Sequence, residues 1–238
     1  IGGVIACNFS GPRRFKVGSA RDHVLGFQGV NGKGETIKSG GTVVKNVTGY
    51  DLSKLVSGSF GTLAVLTELS IKVLPKPETS KTLIVKVFRK NFIFNDLTQE
   101  GALIGIRIEG PLNSVEVRLD RLCKELGVLK NEFSILEQKQ STIFWDKTRQ
   151  LEVFSQLTGN LLRVIVPASE TFNVIQKLKK YEINYFLDWG GSLIWLQLDK
   201  INIKMIKEIK EIISNASGYF TILKIEEDLK ASVDVFTI

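Results

Sequence analysis

Residue types that build metal and nucleophilic sites are scarce in this sequence. Its 238 residues include one histidine, two cysteines and one methionine. Cys7 and Cys123 stand alone rather than in a C-x-x-C pair, which argues against a zinc site or a disulfide framework and favours a reducing compartment. The single histidine, His23, leaves no room for a His-rich metal site, and we expect it at a turn rather than as a catalytic base.

Long apolar runs are also missing. No stretch reaches the roughly 20 residues of a membrane-spanning helix, and the start lacks the basic, apolar and small-residue order of a secretory signal. We therefore expect a cytoplasmic protein with no direct membrane span. The chain opens on Ile1-Gly-Gly3 without an initiating Met, like the inside of a domain, and we expect residues to be missing upstream.

The charge balance is basic, because 32 lysines and arginines face 25 acidic residues and give a net charge of +7. Such a balance raises the possibility of nucleic-acid binding. However, the lysines are spread along the chain and alternate with glutamates, which is typical of a solvated surface. No RNP-like run accompanies them. We expect no nucleic-acid partner, and an acidic partner subunit or small anionic ligands would also suit this surface.

Glycine divides the chain into two regions. Residues 1–77 hold most of the glycine and end at Pro75 and Pro77, which favour an extended linker. In this region the pattern predicts strands at 24–30, 35–39, 63–66 and 69–74. It also predicts a hairpin turn at Asn31-Gly-Lys-Gly34 and a short helix that begins after Asp51.

The second region, residues 78–238, has longer regular elements. Its first part predicts strands at 82–88, 103–108 and 133–138 and helices at 113–126 and 142–154. Its second part predicts strands at 161–166, 185–188, 193–198 and 219–224 and helices at 170–180 and 204–214. That βαββαβ order is typical of a ferredoxin-like unit, an antiparallel sheet with helices on one face. We therefore predict an α+β fold.

Side-chain-poor backbone recurs in the first region. The opening segment, residues 1–11, has two adjacent glycines and then small polar residues, and residues 58–62 read Gly-Ser-Phe-Gly-Thr before an apolar run. Bare backbone lets N–H groups approach a bound group, and a ring system can lie on such an apolar run. Between the two segments, Arg13 and Arg14 could clamp a carboxylate or phosphate. Each motif alone is as typical of a tight loop or an exposed charge.

In combination the motifs resemble a known family. The distinguishing runs are Ser10-Gly-Pro-Arg-Arg14, Gly18-Ser-Ala-Arg-Asp22 and Lys45-Asn-Val-Thr-Gly-Tyr-Asp51. In this order they resemble the PCMH-type FAD-binding domain of the vanillyl-alcohol-oxidase-like flavoproteins, and among these the E-type subunits of bacterial glycolate oxidases. Weaker similarity continues at residues 144–145, 162–167 and 187–191, so the resemblance covers most of the chain.

The resemblance implies a domain organisation. Residues 1–77 correspond to the C-terminal part of the PCMH-type domain, and residues 78–238 to a ferredoxin-like cap or substrate domain. Nothing here matches the Gly-rich pyrophosphate loop of the family's first half or its C-terminal Asn-Pro-Gly-Arg type segment. We therefore expect a chain that is truncated at both ends.

The resemblance also implies an FAD site between two stretches of main chain, which we call the first wall and the second wall. The first wall is Gly2, Gly3, Cys7, Asn8, Phe9 and Ser10, and the second wall is Phe60, Gly61, Thr62, Leu63, Ala64, Val65 and Leu66. Candidate substrate ligands are Arg13, Arg14 and Lys45. Phe60 stands where many relatives have Glu, and Ala64 where many have Gly. No catalytic base and no metal site is identified.

The function that the resemblance implies is oxidation of a 2-hydroxy acid, such as glycolate to glyoxylate. A bound flavin accepts the hydride equivalent, and electrons pass to an iron–sulfur subunit. The implied partners are that subunit and a flavoprotein paralogue, and through them the chain could be peripheral at the inner membrane. The alternative is a non-catalytic remnant or scaffold that no longer holds FAD.

Overall fold

The computed structural model describes residues 1–44, 49–86, 103–127, 132–154, 159–234 and 236–237. Helices alternate with antiparallel sheets, which confirms the α+β prediction. The chain divides into two compact units, Ile1–Lys76 and Pro77–Ile238.

The first unit contains a three-stranded antiparallel sheet with β1 in the centre. Its strands are β1 (Val24–Asn31), β2 (Thr36–Gly40) and β3 (Ala64–Ile71). The predicted turn joins β1 to β2, and Asn31 Oδ1 accepts the N–H groups of Lys33 at 2.9 Å and Glu35 at 3.0 Å. This side-chain bonding closes the hairpin as the Asn-Gly pair predicts.

Among its described residues, the first unit also contains four short helices. They are α1 (Gly2–Ala6), α2 (Arg14–Val17), α3 (Ala20–His23) and α4 (Leu52–Val56). The predicted cap of α4 is confirmed, since Asp51 Oδ1 accepts the N–H of Lys54 at 3.1 Å. The separate strands predicted at 63–66 and 69–74 were wrong, because β3 runs through both and ends at Ile71. No helix was predicted for residues 1–23, where α1, α2 and α3 form.

The second unit begins with a smaller three-stranded sheet in the order β5-β4-β6. Its elements are β4 (Thr79–Lys86), β5 (Leu103–Gly110), α5 (Leu112–Leu126), β6 (Phe133–Leu136) and α6 (Gln138–Arg149). Val115 and Leu119 of α5 are buried in one cluster with Leu83 and Val85 of β4. The predicted end of the first strand, at residue 88, lies outside the described residues.

The predicted ferredoxin-like unit is confirmed. Its elements are β7 (Asn160–Ile165), α7 (Thr171–Leu178), β8 (Asn184–Asp188), β9 (Leu193–Leu198), α8 (Ile203–Asn215) and β10 (Tyr219–Lys224). The sheet order is β10-β7-β9-β8, all neighbours are antiparallel, and a short β11 (Phe236–Thr237) pairs with the outer edge of β10. Helix α9 (Glu227–Lys230) precedes β11.

Alternating residues of these strands build the main core. Leu162 and Val164 of β7 are fully buried together with Ile175 of α7 and Ile209 of α8. The period of two in the strand and of three to four in the helices puts these side chains on facing surfaces. Among the helices of the described residues, none combines the length and the apolar character needed to cross a bilayer.

Candidate functional site

The structure brings the two predicted walls together. The N–H of Phe60, in the second wall, donates to the carbonyl of Ala6 at 2.8 Å, and the N–H of Gly58 donates to that of Ile5 at 3.2 Å. A Cβ at Gly2 would lie 3.4 Å from the carbonyl oxygen of Leu66. That is an ordinary van der Waals distance, so α1 packs directly on β3 at this point, and Gly2 and Gly3 lie in that helix rather than in a loop.

The main-chain N–H groups of residues 7–9, in the first wall, form hydrogen bonds within the fold. Cys7, Asn8 and Phe9 donate their N–H groups to carbonyls of the α1 segment at 2.9–3.0 Å. Asn8 adopts a left-handed conformation with φ +48°, which Asn tolerates better than most residues. These three N–H groups are therefore not available to a ligand, and this wall acts chiefly as a rigid turn.

The side chains of Asn8 and Ser10 hold the beginning of α3. Asn8 Oδ1 accepts the N–H of Arg21 and Ser10 Oγ accepts the N–H of Ala20, each at 2.9 Å. The first-turn N–H groups of a helix lack partners inside the helix, so these oxygens act as caps supplied from a distant segment. The two polar residues of the first wall thus fix the position of that wall relative to α3.

The second wall is more open. Within the residues that the structure describes, no hydrogen bond is found for the N–H groups of Gly61 or Leu63, whereas Thr62 N–H donates to Ser59 at 3.0 Å. Gly61 has φ +77° and open space where a side chain would begin. The side chains of Leu63 and Val65 are 45% and 68% exposed, but Ala64 is buried in the fold.

Unused donors beside an exposed apolar strip can receive a planar ring that has an apolar part and a polar edge. The ring would cover Leu63 and Val65, and its acceptors would meet the N–H groups of Gly61 and Leu63. The isoalloxazine of a flavin has this character, so the donor set of the second wall fits FAD.

Sequence reasoning missed Lys54, which lies on α4 between the walls in the chain. Its Nζ donates to the carbonyls of Arg21 at 2.7 Å and Val24 at 3.0 Å, so it binds the C-terminal end of α3. A cation is favourable there because the carbonyl end of a helix carries partial negative charge. No local sequence pattern predicts this contact, because the two carbonyls belong to residues that lie 30 and 33 positions away in the chain.

His23 and Asp22 also stabilise this corner. The ring nitrogens of His23 lie 3.1 Å from the carbonyl oxygen of Lys72 and 3.0 Å from that of Val17. Asp22 Oδ2 accepts the backbone N–H and the hydroxyl of Ser19 at 2.7 and 2.8 Å, the capping box that a Ser-x-x-Asp pattern could have announced. These two bonds from Ser19 hold the pKa of Asp22 below its usual value, and Lys54 and Arg21 add to the effect.

The structure describes two of the three candidate substrate ligands, Arg13 and Arg14. Arg13 is the residue before α2 and Arg14 is its first residue, with Arg13 exposed and Arg14 half-buried. Lys45 lies outside the described residues. The charge around them is uneven, because residues 1–76 carry ten basic and four acidic side chains, a net charge of +6, whereas residues 77–238 carry 22 and 21. A positive surface attracts carboxylates and phosphates.

Comparison with known proteins shows homology over most of the chain. The glycolate oxidase subunit GlcE of Escherichia coli is 33% identical over 233 residues, which cover 92% of this chain and 60% of GlcE. The glycolate oxidase subunit GlcD of Bacillus subtilis is 29% identical over 226 residues, which cover 77% of this chain and 48% of GlcD. The chain is homologous to these glycolate oxidase subunits. The resemblance predicted from the sequence is thereby confirmed.

Two further similarities are more limited. A Mycobacterium tuberculosis protein, named as an uncharacterized FAD-linked oxidoreductase, is 43% identical over 84 residues, which cover 35% of this chain and 18% of that protein. The solved structure of an alkyldihydroxyacetonephosphate synthase superposes with a TM-score of 0.56 at 16% identity and covers 91% of this chain and 52% of the other, a likeness of fold alone. No protein-family model matches the chain. The chain spans 60% of GlcE and 48% of GlcD.

Proposed function

We propose that this chain is part of an FAD-linked oxidase or dehydrogenase of 2-hydroxy acids, with glycolate as substrate and glyoxylate as product. The observation that carries the proposal is the homology to GlcE over 92% of the chain. The open donors and apolar strip of the second wall support it, because they suit a flavin ring. When bound, FAD supplies the acceptor of the hydride equivalent.

The protein's own contribution is to bind and orient the cofactor. Gly61 and Leu63 donate main-chain N–H groups, while Leu63 and Val65 cover the apolar part of the ring. The first wall supports the second through the bond between Phe60 and Ala6. The net charge of +6 on residues 1–76 favours the diphosphate of FAD. Arg13, Arg14 and Lys45 remain candidates for the substrate carboxylate.

The proposed partners are an iron–sulfur subunit that accepts the electrons and a flavoprotein paralogue. The names of both GlcE and GlcD as subunits of a glycolate oxidase support an assembly of several chains. We propose that residues 1–77 act as the FAD-binding part and residues 78–238 as the cap. The assembly would be cytoplasmic, with peripheral attachment at the inner membrane through the partner subunits.

The test is flavin binding by the purified chain, followed by absorption and by quenching of flavin fluorescence on titration with FAD. Gly61→Leu fills the open space beside the second wall, so we expect it to weaken binding at least tenfold. Gly34→Leu is the matched control, because Gly34 has a similar φ of +79° and also has open space around it. Both variants carry the same backbone strain, but Gly34 lies in the hairpin turn.

The outcomes separate the two candidate functions. Equal binding by wild type and Gly34→Leu with loss in Gly61→Leu supports the proposal. A folded wild-type chain that stays colourless and takes up no added FAD would overturn it and favour the remnant or scaffold. Equal loss in both variants would contradict the assignment of the second wall.

A further inference from the structure

We propose that Lys54 is a positioning residue for the flavin site, acting through α3 to hold the two walls at a fixed distance. The inference rests on the proposed function. It concerns a side chain that belongs to neither wall and that no motif of the family resemblance includes. Lys54 touches no part of the proposed ring site, so its effect on the cofactor is indirect.

Hydrogen bonds join segments of the first unit in a closed cycle, from the first wall through α3, α4 and the second wall back to the first segment. The first wall binds the start of α3 through Asn8 and Ser10. The end of α3 binds Lys54 of α4 through the carbonyl of Arg21. Helix α4 leads through residues 57–59 into the second wall, and Phe60 returns to the first segment at Ala6. Each link has a distance of 2.7–2.9 Å.

The turn between α4 and the second wall is itself stiff, so movement of α4 would reach the wall. Ser57 Oγ donates to the carbonyl of Ser53 at 2.8 Å, and Ser59 Oγ donates to that of Val56 at 2.9 Å. The hydroxyl of Thr62 then donates to the carbonyl of Ser59 at 2.6 Å. Three consecutive hydroxyl bonds leave this connection little freedom to absorb a shift of α4.

Lys54 is the link whose loss would matter most. It is the one cationic donor in this cycle of hydrogen bonds, and hydrogen bonds from an ionised donor are about twice as strong as neutral ones. It serves two carbonyls at once, those of Arg21 and Val24, and it is half-buried. Helix α3 has only four residues and cannot hold its shape without tertiary partners. Without Lys54, α3 would keep its first-turn caps and the contacts of His23 with residues 17 and 72, but it would lose its hydrogen bonds to the side chain from α4.

Lys54→Met keeps the length and apolar character of the stem but removes the donor. We expect FAD affinity to fall about tenfold while the chain stays folded. Lys54→Arg restores a cationic donor able to reach two carbonyls, and we expect it to recover most of the affinity. Lys38→Met is the control, because Lys38 is an exposed lysine on β2 of the same unit.

A second measurement does not depend on FAD. Hydrogen–deuterium exchange of the apoprotein should show faster exchange at residues 7–10 and at residues 58–62 together in Lys54→Met, and in neither segment in Lys38→Met. A wild-type chain that binds no FAD would overturn the proposed function. Wild-type binding with equal affinity in Lys54→Met, or faster exchange confined to residues 20–24 and 52–56, would overturn the positioning role instead.

Discussion

At the residue scale, Asp188 and Asp22 show how the surroundings move a carboxyl pKa in opposite directions. Burial at the end of β8 raises the pKa of Asp188, and the bond that its Oδ1 accepts from Trp189 N–H at 2.7 Å only partly offsets this. Hydrogen bonds from Ser19 lower the pKa of Asp22. The two carboxyls should therefore respond oppositely to pH.

Asp188→Asn keeps an acceptor for Trp189 N–H but removes the charge at this half-buried position. Because the folded-state pKa of Asp188 lies above 3.8, its charged form costs stability at neutral pH. We expect the variant to match or exceed the wild type in free energy of unfolding at pH 7. The gain should shrink as the pH falls through the raised pKa towards 3.8, measured by urea unfolding. A gain that increases on acidification would contradict the burial argument.

Asp22→Asn should behave in the opposite way. The folded-state pKa of Asp22 lies below 3.8, so its charge stabilises the fold above that pH and the contribution is lost as the pH falls through the folded value. We expect a loss of about 0.5 kcal/mol at pH 7, because Asn keeps an acceptor for Ser19 but loses the negative charge in the first turn of α3. Urea unfolding from pH 7 to pH 2.5 tests this, and a loss that is constant over the whole range would refute it.

At the element scale, α6 is tied to β4 by a buried polar group. Thr82 Oγ1 accepts the indole N–H of Trp145 at 2.8 Å and lies 2.7 Å from Ser141 Oγ. Thr82 and Ser141 are both fully buried. A polar group buried without a partner is costly, so these three side chains specify how the helix lies on the strand.

Thr82→Val keeps the shape of the side chain but leaves Trp145 and Ser141 without their partner. We expect the free energy of unfolding to fall by about 2–3 kcal/mol in circular-dichroism melts with urea. Thr142→Val is the matched control on α6, because Thr142 is exposed and its hydroxyl donates to the carbonyl of Gln138 within the same helix. The free energy of unfolding of the control should change by less than about 0.5 kcal/mol. Equal losses in the two variants would contradict the stabilising role of the buried Thr82 hydroxyl.

Sequence patterns predicted the elements whose signals are local. The βαββαβ order follows from side-chain periodicity, and the β1–β2 hairpin from Asn31-Gly32. The short helix α1 was missed because its last carbonyls bind the N–H groups of a distant segment, at Gly58 and Phe60. Helix α3 has a local signal, the Ser19-x-x-Asp22 capping box, which went unused, and Asn8 and Ser10 of another segment also hold its first turn. Lys54 was missed for the same reason, since its partners are about 30 residues away in the chain.

At the scale of the whole molecule, charge is segregated along the chain. Almost all of the net charge belongs to residues 1–76, the part with the proposed nucleotide site. If this charge attracts the FAD diphosphate, the association rate should fall as salt rises from 50 to 500 mM. Stopped-flow flavin fluorescence measures the rate. An association rate independent of salt would argue that the charge serves another partner.

In the proposed site, the second wall receives a flavin ring on open main-chain amides. Hydrogen–deuterium exchange of the purified chain, with and without saturating FAD, tests it at the amides themselves. Bound FAD should protect the N–H groups of Gly61 and Leu63 from exchange. Bound FAD that leaves both amides exchanging as fast as in the apoprotein would contradict it.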